Sequence, residues 1–169
     1  MAIHFALLTL VYAAAVLQAS VAPRMALAGG RPEFLLLVAV LAAFAVRDWS
    51  ALAWAALAGL AADALSDRPL GTGMLVATLV MLFVQRWLRD RPRPSRAGTA
   101  AVCAMALALI VFAREAIAAP LTGESLAPAA LFADSGSSAL LSSIIGAAVL
   151  LLWRFSQGML HRRASASDR

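Results

Sequence analysis

Apolar residues run almost unbroken from Ile3 to Val21, stop at Pro23, and resume at Phe34 after the cluster Gly29-Gly30-Arg31-Pro32-Glu33. The same alternation of long apolar run and short polar break continues to the C-terminus. It predicts six transmembrane helices at residues 3–21, 34–46, 50–65, 70–87, 97–118 and 138–155. The second is the short one. Only 13 residues lie between Glu33 and Arg47, about 20 Å of helix at 1.5 Å per residue, against a hydrocarbon core of about 30 Å. It crosses if Arg31 and Arg47 lay their stems along it and snorkel outward. Between the fourth and fifth runs lies "RWLRDRPRPSR", whose five Arg and two Pro do not belong in hydrocarbon. The first run lacks a basic leader and is followed by further spans, so a retained helix is expected there and not a cleaved signal.

Composition strengthens this reading. Hydrophobic residues make up 63% and charged residues 14%, where soluble domains carry about 45–50% and about 25%; the mean hydropathy is +0.86. Apolar runs occupy nearly the whole chain, so residues 1–169 form one polytopic membrane domain. The fold class expected is an all-α integral membrane protein, a six-transmembrane-helix bundle.

The net charge of +5 comes from Arg alone among the basic residues; there is no Lys. These Arg sit between apolar runs and not on one helix face, which fits topology signals and not nucleic-acid binding. With the N-terminus inside, Arg47, Arg86, Arg89, Arg91, Arg93, Arg96, Arg154, Arg162, Arg163 and Arg169 fall on the inner side. Only Arg24, Arg31, Arg68 and Arg114 fall on the outer side. That bias places both termini in the cytoplasm. A single Cys103 within an apolar run excludes an internal disulfide and a cysteine-based zinc cluster.

The candidate chemistry concentrates in "GLAADALSDRPLG", residues 59–71. Ala55, Gly59 and Asp63 follow at i, i+4, a stripe of small residues along which a neighbouring helix packs closely. Asp63 reads as a structural group near the outer end of the third span, held by Arg68 or by amides of the following turn; ion coupling or a ligand contact is the functional alternative. On that reading Asp63→Asn should be mild. Pro69 suits the first turn of the fourth helix, Asp67 is a candidate cap for it, and Gly71 and Gly73 permit close backbone contact. Arg114 and Glu115 are candidate buried charges. Interfacial snorkelling is the plainer reading of both, and a functional contact with a partner or with Asp63 the alternative. Ser138, Ser142 and Gly146 form a second small stripe. Trp49, Trp54, Trp87 and Trp153 sit near span ends, as an aromatic belt does. No catalytic triad, phosphate loop, metal spacing or cofactor motif is present, so no enzyme activity is expected.

Gly59, Asp63, Pro69, Leu70 and Gly71 together resemble the signature of the MreD family of rod shape-determining proteins, a G-x-x-x-D helix followed by P-L-G. "LQASVAP", "RPEFLLLVAVLAAF" and "SSALLSSIIGAAVLLLWRF" resemble that family's first, second and last spans in the same order. The resemblance implies a bacterial inner-membrane component of the cell-elongation machinery that regulates peptidoglycan synthesis. It implies MreC as partner, within a larger complex holding the wall polymerase, a class B penicillin-binding protein and the MreB filament. It also implies a fold similar to the substrate-binding subunits of energy-coupling-factor transporters, which makes a vitamin-uptake subunit the alternative function.

Overall fold

The structure is a computed structural model that describes residues 2–26, 30–46, 48–66, 68–89, 95–122 and 135–149. They form six α-helices: α1 (Ala2–Ser20), α2 (Phe34–Ala45), α3 (Ser50–Ala64), α4 (Thr72–Arg89), α5 (Arg96–Thr122) and α6 (Ser135–Val149). A single 3-10 turn, Ala22–Met25, follows α1 around Pro23. All six expected helices are present. Two of them, α1 and α5, are long and apolar enough by themselves to cross a membrane. Residues 150–155 of the sixth expected span, Trp153 among them, and Arg47 and Asp67 lie outside the described residues.

The short second helix is the centre of the bundle. Leu35 through Ala43 are all buried, and α2 touches α1, α3, α4 and α5. A helix enclosed on every side has no need of a polar face, which accounts for its unbroken apolar sequence. Against α2 and α5 packs α6, whose Gly146 sits over Leu37, Leu107 and Cys103. Around this core the helices expose large apolar side chains: Phe5 and Tyr12 on α1, Leu75 and Phe83 on α4, Met105 and Leu109 on α5, Leu140 and Ile144 on α6. Soluble monomers rarely expose contiguous apolar surface on that scale.

Because α2 is short, both of its ends lie among the other helices, and its orphan backbone groups need partners. Side chains from three other helices supply them. At its start Ser138 Oγ accepts the N–H of Arg31 at 3.0 Å and Ser142 Oγ that of Glu33 at 2.9 Å, both from α6. Gln18 Oε1 of α1 accepts the N–H of Phe34 at 2.7 Å. Past its end the buried Gln85 of α4 donates Nε2 to the carbonyls of Val46 (3.2 Å) and Asp48 (3.3 Å). Asp48 in turn caps α3, accepting the N–H and hydroxyl of Ser50; the hydroxyl's hydrogen bond, foremost, holds its carboxyl below the usual range.

Candidate functional site

At one end of the bundle meet the C-terminal parts of α1, α3 and α5 and the N-terminal parts of α2, α4 and α6. Their polar residues join in one cluster.

The turn after α3 builds the first part. Asp63, on the last turn of α3, faces the start of α4 across residues 65–71. Its Oδ2 accepts the N–H groups of Gly71 (3.0 Å), Gly73 (2.8 Å) and Met74 (3.3 Å), and Oδ1 lies 3.0 Å from the Gly73 nitrogen. These are the amides that a helix start leaves without intrahelical partners. Asp63 therefore caps the next helix from across the reversal, and the expectation that following-turn amides hold it is met. Asp67, the other candidate cap, lies outside the described residues. Close approach of α3 and α4 makes the capping reach possible. A Cβ on Gly59 would lie 2.6 Å from the Gly73 carbonyl oxygen, and one on Gly73 would collide with Asp63 Oδ1. Gly71 has a different reason. Nothing lies within 4 Å of where its Cβ would be, but its φ is +97°, a conformation L side chains rarely adopt. The reversal needs glycine there for its backbone and not for space.

Arg114 is the second part, and it does not snorkel. Its side chain is 1% exposed and that of Asp63 0%. The guanidinium Nε lies 3.3 Å from Asp63 Oδ1, near enough for an ion pair, though its N–H aims at no acceptor. Nη1 lies 3.4 Å from Glu33 Oε1. Nη2 donates to Ser66 Oγ at 2.6 Å and to the Ala62 carbonyl at 3.4 Å. Arg68, the other expected partner of Asp63, pairs instead with Glu115. The adjacent residues Arg114 and Glu115 thus face different ways, as the 100° step of a helix requires: one into the bundle, one toward its half-buried edge.

Glu33 completes the arrangement. Its Oε2 accepts from Gln18 Nε2 at 3.2 Å, so Gln18 serves both the carboxylate and the amide of the next residue. Asp63 and Glu33 bring two negative charges. Arg114 brings one positive charge, while the positive helix starts of α2, α4 and α6 are offset by the negative helix ends of α1, α3 and α5. The two carboxylates outnumber the guanidinium, and neutral donors make up the difference: the Gly71, Gly73 and Met74 amides at Asp63 and the Gln18 side chain at Glu33. Apart from the Arg114 Nε–H, the cluster's side-chain donors and acceptors are spent on one another and on nearby backbone, which ties these helices at one end.

Of the family-signature residues, Gly59, Asp63 and Gly71 have roles in this reversal. The Pro69 carbonyl accepts the Thr72 hydroxyl at 3.0 Å, and Leu70 is exposed. Gln18, Ser66 and Gln85 were not singled out by sequence. For Gln18 a signal exists: it continues the buried face of Leu7, Val11 and Ala14 at spacings of four, three and four, and a polar residue on a core stripe calls for a partner. Among the described residues no group of three or more His, Cys, Asp or Glu is placed to hold a metal ion.

An all-α bundle with an apolar exterior, an enclosed central helix and an internally paired ionic cluster at one end has a build consistent with a helical membrane protein. The family model described as rod shape-determining protein MreD matches residues 1–156, and the chain belongs to that family. Its role accordingly lies in rod-shape determination, as a structural component of that machinery. No curated protein and no solved structure matches the chain.

Proposed function

We propose that the chain is a six-span component of the bacterial inner membrane, with both termini in the cytoplasm. It acts as a non-enzymatic scaffold and regulator of the elongation machinery, in complex with MreC. Through that complex it meets the wall polymerase, the class B penicillin-binding protein and the MreB filament. The observation that carries this reading is the ionic cluster around Arg114. It spends the intramembrane charges on holding helices together, and leaves the outer faces of α1, α4, α5 and α6 apolar for lipid and partner helices. A transporter subunit of the vitamin-uptake type would use such charges to grip a ligand. Here Asp63, Arg114 and Glu115 already grip Gly73, Glu33 and Arg68.

Purification in mild detergent from cells tests it. MreC is expected to co-purify with the chain, and to be lost when the α3–α4 reversal is disrupted. Recovery of a bound vitamin with no MreC would overturn the scaffold reading and favour the transporter subunit.

A further inference from the structure

The outward face of α4 carries a pattern that the ionic cluster does not use. Leu75, Leu79, Leu82, Arg86 and Arg89 recur at spacings of four, three, four and three. That spacing keeps them in one stripe along a helix. All five are exposed. The stripe is apolar for its first three members and cationic for its last two. From Leu75 to Arg86 it runs about 16 Å at 1.5 Å per residue, close to the hydrocarbon depth of one leaflet, about 15 Å.

The cationic end is also built from a second element. Trp49, in the link between α2 and α3, is 69% exposed, and the Arg89 guanidinium lies 5.8 Å from the centroid of its ring. Stacking on an indole holds the guanidinium plane without using its N–H donors. Asp48, beside Trp49 in the chain, is turned into the start of α3, where it takes the N–H and hydroxyl of Ser50. Among the described residues neither Arg86 nor Arg89 pairs with a carboxylate. Two exposed guanidinium groups one helical turn apart thus stand at the end of an exposed apolar track.

We propose that α4 carries a seat for one anionic phospholipid, with Arg86 and Arg89 on its phosphate and its acyl chain along Leu82, Leu79 and Leu75. Charge complementarity names the lipid class, because a zwitterionic headgroup brings its own cation to the same place. The proposal rests on the chain spanning a membrane and not on the identity of its protein partner. Trp49 acts as a positioning residue for Arg89.

The test is lipid retention by the full-length protein in mild detergent, read by native mass spectrometry after titration with phosphatidylglycerol, phosphatidylcholine or glycerol 1-phosphate. Phosphatidylglycerol should be retained in preference to phosphatidylcholine, and glycerol 1-phosphate, which lacks the chains, should not be retained. Arg86→Gln with Arg89→Gln should weaken phosphatidylglycerol retention about tenfold or more, the scale of lost charge-assisted hydrogen bonds. Arg86→Lys with Arg89→Lys should fall between, and Trp49→Ala should weaken it less than the double Gln variant. Arg24→Gln, at the other end of the bundle, should change nothing. Equal retention by wild type and the double Gln variant, both monodisperse, would overturn the proposal while leaving the membrane reading intact. Retention of glycerol 1-phosphate alone would also overturn it, in favour of a free phosphate site. So would unchanged lipid with loss of MreC, which would assign the arginines to a protein contact.

Discussion

Arg114 Nε and Asp63 Oδ1 lie 3.3 Å apart, and both side chains are sealed from solvent. Removing one partner of a buried pair leaves the other charge without compensation, which typically costs about 3–5 kcal/mol. Arg114→Met is therefore expected to lower the thermal midpoint in detergent sharply or to abolish folded yield. Arg114→Lys should recover only part, because one ammonium cannot span Asp63, Glu33 and Ser66 as the planar fork does. Adding Glu33→Gln to Arg114→Met should restore some stability by removing a stranded carboxylate, with a coupling of about 0.5–3 kcal/mol in the double-mutant cycle. Strict additivity would mean that Glu33 and Arg114 do not act together.

For Asp63 itself, the structure changes the expected outcome of the Asn substitution. An Asn oxygen can still accept the amides of Gly71, Gly73 and Met74. Its NH2 group then faces the Arg114 guanidinium, donor against donor. Asp63→Asn should cost about 1–3 kcal/mol and not be nearly silent, and Asp63→Leu should cost more, since it also strands the α4 amides. Thermal unfolding of the purified variants checks the order. An Asn variant as stable as wild type would remove the stabilising role assigned to the Arg114 contact.

The two glycines of the reversal should respond differently. Gly59→Ala pushes a methyl group into the Gly73 backbone and should cost about 1–3 kcal/mol by overpacking. Gly71→Leu meets no neighbour, and its cost of about 1–2 kcal/mol comes from the positive φ. Asn at position 71 should then be tolerated better than Leu, because Asn adopts positive φ more readily. Equal loss for Asn and Leu at position 71, measured as folded yield by size-exclusion chromatography, would argue for a crowded site instead.

What was legible in the sequence lies along single helices. Apolar runs, their breaks, and the Gly59–Asp63 stripe are one-dimensional patterns, and each helix emerges close to where those patterns put it. The short second run was equally visible, but its meaning was not. Thirteen residues look like a weak span until five other helices enclose them. The cluster itself was only half legible. Asp63 and Arg114 stand out as charges in apolar runs, yet their pairing crosses from α3 to α5, and no spacing rule links positions 63 and 114. Glu33 read as a boundary marker for the same reason, since its contact with Arg114 joins α2 to α5. Gln18 and Gln85 carry no charge to draw notice, and their work is to satisfy backbone groups of another helix.

Membrane orientation gives the last prediction, because the ionic cluster at the start of α4 and the exposed Arg86 and Arg89 of its last turn lie at opposite ends of the bundle. On the proposed topology the Arg-rich side, with "RWLRDRPRPSR" and the C-terminal tail, is cytoplasmic, and the Asp63–Arg114 end is then outside. Reporter fusions after Arg93 and after Arg163 should both read as cytoplasmic. Single cysteines give an independent measurement in a Cys103→Ala background. Leu70, exposed beside the cluster, becomes an outside probe as Leu70→Cys, and should react with an impermeant maleimide in spheroplasts. Trp49→Cys, at the other end, should react only after the membrane is opened. Labelling of position 49 in intact spheroplasts, with position 70 protected, would overturn this topology, either by inverting it whole or because α2, only 12 residues long, does not cross. Labelling of both would put positions 49 and 70 on one side of the membrane, which means that α3, the helix between them and only 15 residues long, does not cross.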